Sequence, residues 1–325
     1  MFDGKKKITG IGSALVDLLL PADDDFVASL GAEKGGMTLV DDQFIEDALA
    51  RSDEKPEVVS GGSACNTIVG VGMLGGEASF IGKCGQDEFG RKFTSDLRDS
   101  SVTPRLFTSS TPTGTVLSVV TPDAQRTMFT HLGASTELDP DSITPELFEN
   151  TAVAVVEGYL LFNPDLMMAT VRSAKAAGAM ISLDLASFEV VHNTRALLEK
   201  VVKQYVDILI ANEDEAEAYC GHREEEKVIA HLLKEAPLAV LKVGERGSFI
   251  HHDKETFRIR AQVDQPPLDT TGAGDLWASG FLYGLVNGYP IDKCGALGSA
   301  CGSEVCRVVG AKIPADGWQR IKALL

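Results

Sequence analysis

Basic residues are scarce in this chain: 30 Lys and Arg stand against 47 Asp and Glu, a formal net charge of −17. A sequence-independent grip on nucleic acid phosphates is not expected from that balance. The one basic cluster, Lys5-Lys6-Lys7, is short. Long hydrophobic runs are lacking too. No uninterrupted apolar stretch approaches the ~20 residues of a membrane span, and no long apolar segment follows the charged N-terminus, so neither membrane insertion nor a secretory signal is expected. The six cysteines (65, 84, 220, 294, 301 and 306) form no CxxC and no metal-ligand spacing, and the six histidines are equally dispersed. They read as reduced core thiols in a cytoplasmic protein, without structural zinc. Two nucleotide motifs are also missing. There is no G-x-x-x-x-G-K-[ST], and no G-x-G-x-x-G after the first strand, which removes the P-loop and dinucleotide-binding readings.

What is present is ordinary globular composition: 325 residues, 44% hydrophobic and 24% charged. That length allows one large α/β domain or two small ones. Ile8 to Leu20 reads as a buried strand holding Asp17. Residues 22–34 read as a short helix, 37–40 and 57–60 as short strands, and 78–82 as a strand followed by a helix over 87–100. From Val102 to Thr130 short β-rich runs separated by Thr-Pro turns suggest hairpins of a small antiparallel sheet. Strand and helix then alternate. Strands are expected at 153–156, 180–185, 207–211 and 239–243, with a pair of short strands over 248–263. Helices are expected at 164–177, 195–205, 213–220 and 224–235. This rhythm predicts a mainly parallel sheet covered on both faces. Ligands of such sheets bind outside the carboxyl ends of the strands.

The polar marks fall at or just past those ends. Asp269-Thr270-Thr271-Gly272-Ala273-Gly274-Asp275 follows a polar approach beginning at Asp264 and opens an apolar helix. Free N–H groups and the helix dipole there make an anion site. A carboxylate inside such a cradle, Asp275, is better explained as a base than as an anion ligand; an ordinary loop with an acidic helix start is the plainer alternative. Gly61-Gly62-Ser63-Ala64-Cys65-Asn66 opens a second helix, with Asn66 one turn in. Asp17, a carboxylate in an apolar strand, needs a partner, either nearby backbone or a polar ligand. Asn212 and Glu215 share one face of a starting helix, although acidic residues suit a helix start for the dipole alone. Gly244 and Gly247 make a glycine turn between strands, which is either a plain hairpin or a phosphate-facing turn.

In this order, with Asn212-x-x-Glu215 and Val243-Gly244-Glu245-Arg246-Gly247 between the two glycine signatures, the sequence resembles the ribokinase-like, PfkB-type carbohydrate and nucleoside kinases. Gly302 to Ala311 resembles that family's last nucleotide-side helix. The resemblance covers nearly the whole chain and implies a three-layer α/β/α fold with a mainly parallel central sheet. It implies a single domain over 1–325 with a discontinuous β lid from about 14–20, 36–40, 57–60 and 103–130. It also implies ATP and Mg²⁺ as cofactors, with a monovalent cation such as K⁺ left open. By the same resemblance Asp275 is the base, and Gly272, Ala273 and Gly274 form the anion hole. Asp17, Gly61, Gly62 and Asn66 hold the acceptor. Asn212, Glu215, Gly244, Gly247, Thr271 and the lid residue Arg126 serve the nucleotide, with Glu215 reaching Mg²⁺ through water.

For the acceptor, Gly36–Val40, Thr121–Ala134, Glu157-Gly-Tyr-Leu and Ser182–Ser187 look most like bacterial adenosine-kinase-like members. Asp184 is followed by Leu185-Ala186-Ser187-Phe188, a departure from the sugar-specific pattern, and Ser13 departs from the nucleoside pattern. Met37, Phe129 and Phe162 are candidates to sandwich a base. The implied reaction is γ-phosphoryl transfer to the primary, 5′-type hydroxyl of an adenosine-like nucleoside. A ribokinase- or fructokinase-type sugar kinase is the alternative, and a catalytically inactive ligand sensor the remoter one. A small-molecule acceptor is the expected partner, with no nucleic acid and no membrane; both monomer and homodimer stay open.

Overall fold

The computed structural model describes residues 2–32, 34–123, 125–262 and 265–325, with the side chain of Leu233 outside the description. Asp264 and Val263, the expected end of the second short strand, lie outside the described residues. In chain order the strands are β1 (Lys7–Ile11), β2 (Leu15–Pro21), β3 (Met37–Leu39), β4 (Glu57–Gly61), β5 (Ala78–Gly85), β6 (Val102–Ser109) and β7 (Gly114–Val120). They continue as β8 (Arg126–His131), β9 (Thr151–Glu157), β10 (Met180–Asp184), β11 (Ile208–Ala211), β12 (Leu238–Lys242), β13 (Ser248–His252) and β14 (Glu255–Ile259). The helices are α1 (Asp24–Ser29), α2 (Asp42–Ala50), α3 (Ser63–Met73), α4 (Glu88–Asp99), α5 (Pro164–Ala176) and α6 (Phe188–Tyr205). They end with α7 (Glu213–Cys220), α8 (Glu225–Glu235), α9 (Ala273–Val286), α10 (Ile291–Val305) and α11 (Ala315–Lys322).

Apolar runs without alternation, such as β9 (TAVAVVE), are buried along their whole length, as strands of a sheet covered on both faces must be. The large sheet has the order β14-β13-β12-β11-β10-β9-β1-β5-β6. Pairing is parallel from β12 through to β6 and antiparallel at β12–β13 and β13–β14. One face packs on α3, α9 and α10 through Ile68, Trp277, Phe281 and Cys294. The opposite face packs on α5 to α8 through Val171, Leu198, Val202, Tyr219 and Leu232. Among the described residues no helix is long and apolar enough to cross a membrane.

Two expectations need correction. Residues 8–20 are not one strand: β1 lies in the large sheet and β2 in a second, five-stranded sheet. The chain leaves the first sheet at Gly12-Ser13-Ala14, where Ser13 N–H bonds Glu157 and not a strand neighbour. The 103–109 part of the expected lid belongs to β6, which pairs in parallel with β5 over eight residues of the large sheet. The second sheet, β3-β8-β7-β2-β4, is mixed. β2–β4 and β7–β8 are antiparallel, while β2–β7 and β3–β8 are parallel.

The parallel strands all end on one edge of the large sheet. Glu157, Asp184, Ala211 and Lys242 therefore close their strands side by side, facing the glycine-led starts of α3 and α9.

Candidate active site

Gly62 and Gly272 are the caps of α3 and α9, with φ of 99° and 71°. Both values lie where a side chain is strained, so the two helix starts need glycine. At Gly272 a side-chain carbon would also lie 2.6 Å from Ala311 Cβ. The two helices run close together because Gly70 leaves room for Ser279 and Leu276. That contact brings their first turns to one place. Asp275 Oδ1 accepts from Ser63 Oγ at 2.7 Å, and its Oδ2 accepts from Asn66 Nδ2 at 3.0 Å. Thr67 Oγ1 donates to the Asp275 carbonyl at 3.1 Å. Burial pushes the Asp275 carboxyl up to about 6; the Asn66 and Ser63 bonds pull it down, and Asp184 adds repulsion.

Of the expected anion hole, the Ala273 N–H bonds back to the Thr270 carbonyl at 3.1 Å. Among the described residues the N–H groups of Gly272, Gly274 and Asp275 have no partner. The cradle is thus shifted from Gly272–Gly274 to the N–H groups on either side of Ala273.

Asp17 and Gly61 come together from β2 and β4. A side-chain carbon at Gly61 would collide with the Asp17 carboxylate. Among the described residues no hydrogen bond reaches that carboxylate. Burial pushes Asp17 up to about 6, Arg126 draws it down and Asp275 pushes it up. Its neighbours in charge are thus two residues of the expected site, Arg126 and Asp275. A further carboxylate, assigned no site role by the sequence, lies beside them. Glu157, 2% exposed, accepts the N–H groups of Ser13 at 2.7 Å and Ala64 at 3.2 Å. Burial raises it to about 6. It fixes the crossover between the sheets to the start of α3. The Glu157-Gly-Tyr-Leu run marks a resemblance but not this role, because its partners are 144 and 93 residues away.

A cavity of about 640 Å³ opens beside α9, lined by Asn212, Lys242, Gly244, Gly247, Ala273 and Gly274 among others. Asn212 and Glu215 satisfy each other in a capping box: Glu215 N–H donates to Asn212 Oδ1, and the Glu215 carboxylate accepts both N–H and Nδ2 of Asn212. The helix-start reading of this pair therefore holds whatever else it does. Glu215 is raised by burial and then by Asp184, and Lys242 opposes the shift. Among the described residues no group of three or more His, Cys, Asp or Glu is gathered to hold a metal. Lys242, also unmarked in the sequence, pairs with Asp184 at 2.8 Å.

Arg126 and Thr271 line a second cavity of about 550 Å³, with Lys34, Gly35 and Asp269. Arg126 donates to Asp269 Oδ2 at 3.3 Å and to Thr271 Oγ1. The Thr271 N–H and hydroxyl both bond Asp269 Oδ1. Of the expected base-sandwiching side chains, Met37 and Phe162 are 52% and 56% exposed. Phe129 is not available: it is buried, 5.0 Å from the Phe44 ring.

The strand ends of the large sheet thus meet two glycine-led helix starts around the half-buried Asp275 carboxylate, an arrangement suited to holding an anion beside a base. Residues 24–317 match the model of the pfkB family carbohydrate kinases, and the chain belongs to that family. Its members are phosphotransferases with an alcohol group as acceptor. The chain is 24% identical to adenosine kinase of Saccharomyces cerevisiae, covering 94% of this chain and 96% of that one. It is 29% identical to 5-dehydro-2-deoxygluconokinase of Shouchella clausii, over 82% and 86%. Among solved structures, adenosine kinase from Sinorhizobium meliloti superposes with a TM-score of 0.89 at 32% identity, covering 99% of this chain and 100% of that one. A probable sugar kinase from Rhizobium etli gives 0.90 at 29% identity, covering 99% of both.

Proposed function

We propose that this protein transfers the γ-phosphoryl group of ATP to the primary, 5′-type hydroxyl of a nucleoside, with Asp275 as the base. The observation that carries the reading is the Asp17 carboxylate, half-buried and electrostatically coupled to Asp275, with no hydrogen-bond partner among the described residues. An unpaired carboxylate in such a place is costly, and a polyhydroxylated acceptor supplies the missing donors. Asp17 would take two acceptor hydroxyls, with Gly61 and Gly62 letting the ligand come close and Asn66 holding Asp275 in place. The phosphate-binding end of ATP would meet the N–H groups of Gly272 and Gly274. Its remainder would lie in the 640 Å³ cavity past Gly244 and Gly247.

In the reaction the acceptor oxygen bonds to the γ-phosphorus and gives its proton to Asp275. The bond from that phosphorus to the β,γ-bridging oxygen breaks, and its electron pair leaves with ADP. Such a transfer needs in-line positioning and charge stabilisation more than covalent help. The five-stranded sheet, carrying Asp17, Gly61 and Arg126, would act as a lid that keeps water out.

Mg²⁺ fits this site as an ion held mainly by phosphate oxygens and water. Both Glu215 oxygens already accept hydrogen bonds from Asn212, so Glu215 suits orienting a coordinated water. When bound, the ion would neutralise phosphate charge.

The exposed Met37 and Phe162 favour a nucleoside, as faces against which a base could stack. The sugar-kinase relatives keep a free-sugar acceptor as the second reading. The test is ATP consumption with product identification over adenosine, inosine, ribose and fructose. Turnover with a nucleoside is expected. Turnover with a sugar alone would replace the acceptor, and tight binding without any turnover would favour a sensor.

A further inference from the structure

Lys242 ends β12 where the strand meets the first turn of α9. A side-chain carbon placed on Gly274 would sit 2.9 Å from the Lys242 ammonium nitrogen, so this cation stands directly against the expected anion hole. The side chain is 15% exposed, and it lines the large cavity together with Gly274. The ammonium donates to Asp184 Oδ2 at 2.8 Å and has no other hydrogen-bond partner among the described residues. An ammonium carries three donors, which leaves two for whatever enters the cavity.

The surroundings make that placement consequential. Asp184, Glu215 and Asp275 all act on Lys242 electrostatically, and polyphosphate would enter beside three carboxylates. The other cationic side chains lining the cavity are committed elsewhere. Arg223 is mostly exposed and pairs with Glu217, and Arg307 pairs with Glu304. Lys242 is the cation at the Gly274 end.

We propose that Lys242 is a catalytic residue that binds the β- and γ-phosphate oxygens, with Asp184 as the residue that positions it. This rests on the kinase reading above. As the acceptor oxygen bonds to the γ-phosphorus and the bond to the bridging oxygen breaks, the leaving electron pair gathers on the β-phosphate of ADP. The ammonium, protonated throughout, meets that charge; the acceptor proton goes to Asp275. Fixed cations aimed at such developing charge are among the largest contributors to phosphoryl transfer.

The test uses the full chain in three forms: wild type, Lys242→Met, and the double variant Lys242→Met with Asp184→Asn, which removes both charges. Turnover is measured with the acceptor found in the panel, thermal unfolding checks the fold, and titration compares ATP, ADP and AMP. For Lys242→Met, kcat is expected to fall about 10²-fold or more, with the acceptor KM within about threefold. ATP and ADP affinity should fall more than AMP affinity. The double variant should recover unfolding temperature and remain as slow. Wild-type kcat in Lys242→Met, or activity restored in the double variant, would show a structural charge pair and overturn the proposal. If the wild type turns over no acceptor, the kinase reading fails separately, and the titration decides Lys242. Selective loss of ATP and ADP binding supports a phosphate site; unchanged binding ends it.

Discussion

Arg126, at the start of β8, and Asp269, at the head of the loop leading to α9, are 143 residues apart in sequence and 3.3 Å apart in space. Each exposes less than a tenth of its side chain. The pair ties the smaller sheet to the loop that carries the expected anion hole. It is not symmetric. Asp269 also accepts the Gly310 N–H at 2.8 Å and two bonds from Thr271, which together hold its carboxyl below the ordinary value against the upward pull of burial.

Because of that asymmetry the two partners should differ on removal. Arg126→Met leaves Asp269 with three donors. Asp269→Asn leaves a buried guanidinium without its counter-charge and should destabilise by about 3 kcal/mol. Urea unfolding of both variants checks this, and both should lose turnover. Equal stability losses would show that the salt bridge dominates over the loop bonds.

Activity should fall on acidification through about pH 6. As the proposed base, Asp275 must be ionised to take a proton, and burial raises its carboxyl from 3.8 to about 6. Asp17, raised to about 6 by burial, must in its proposed role be ionised to accept acceptor hydroxyls fully, so the same limb should steepen. The pH dependence of kcat/KM between 5 and 8 is the measurement. A profile flat down to pH 4.5 would be incompatible with this base.

Asp275→Asn should lose turnover by several orders of magnitude and gain stability. The folded-state value is raised, so the stability contribution is complete below about 4 and is lost as pH rises through about 6. That loss amounts to about 3 kcal/mol above neutrality. An amide avoids it, since the Ser63 hydroxyl can accept as well as donate. Thermal melts should show the variant above wild type at pH 8 and level with it near pH 4. A variant less stable at pH 8 would mean the Ser63 and Asn66 bonds outweigh burial.

Gly61→Ala should damage acceptor use selectively. The added methyl would press on the Asp17 carboxylate and displace it from the proposed acceptor site. An acceptor KM raised about tenfold or more, with the ATP KM little changed, is the expected split. Equal effects on both substrates would place Asp17 outside the acceptor site.

Legibility followed distance along the chain. The glycine-led starts of α3 and α9 were readable because Gly62 and Gly272 answer a local need for positive φ. The central strands were readable because burial on both faces demands apolar runs like Val153–Val156. Residues 213–220 were readable from their acidic first turn, and Asn212 with Glu215 forms the cap that turn implies. None of these needs a distant partner.

The remaining features depend on pairing that one segment cannot specify. A β-run such as 102–109 carries no mark of which sheet it joins; β6 is decided by β5 lying free at its side. Residues 8–20 look continuous, yet Glu157 captures Ser13 and sends β2 into the second sheet. Lys242 closes an apolar strand like any solvated lysine, until β10 and α9 bring Asp184 and Gly274 to it. Sequence by itself determined the local backbone and the residue types of the site. Tertiary structure alone decided which charges face one another, because ion pairs and buried carboxylates take their energy from neighbours that folding, not chain order, supplies.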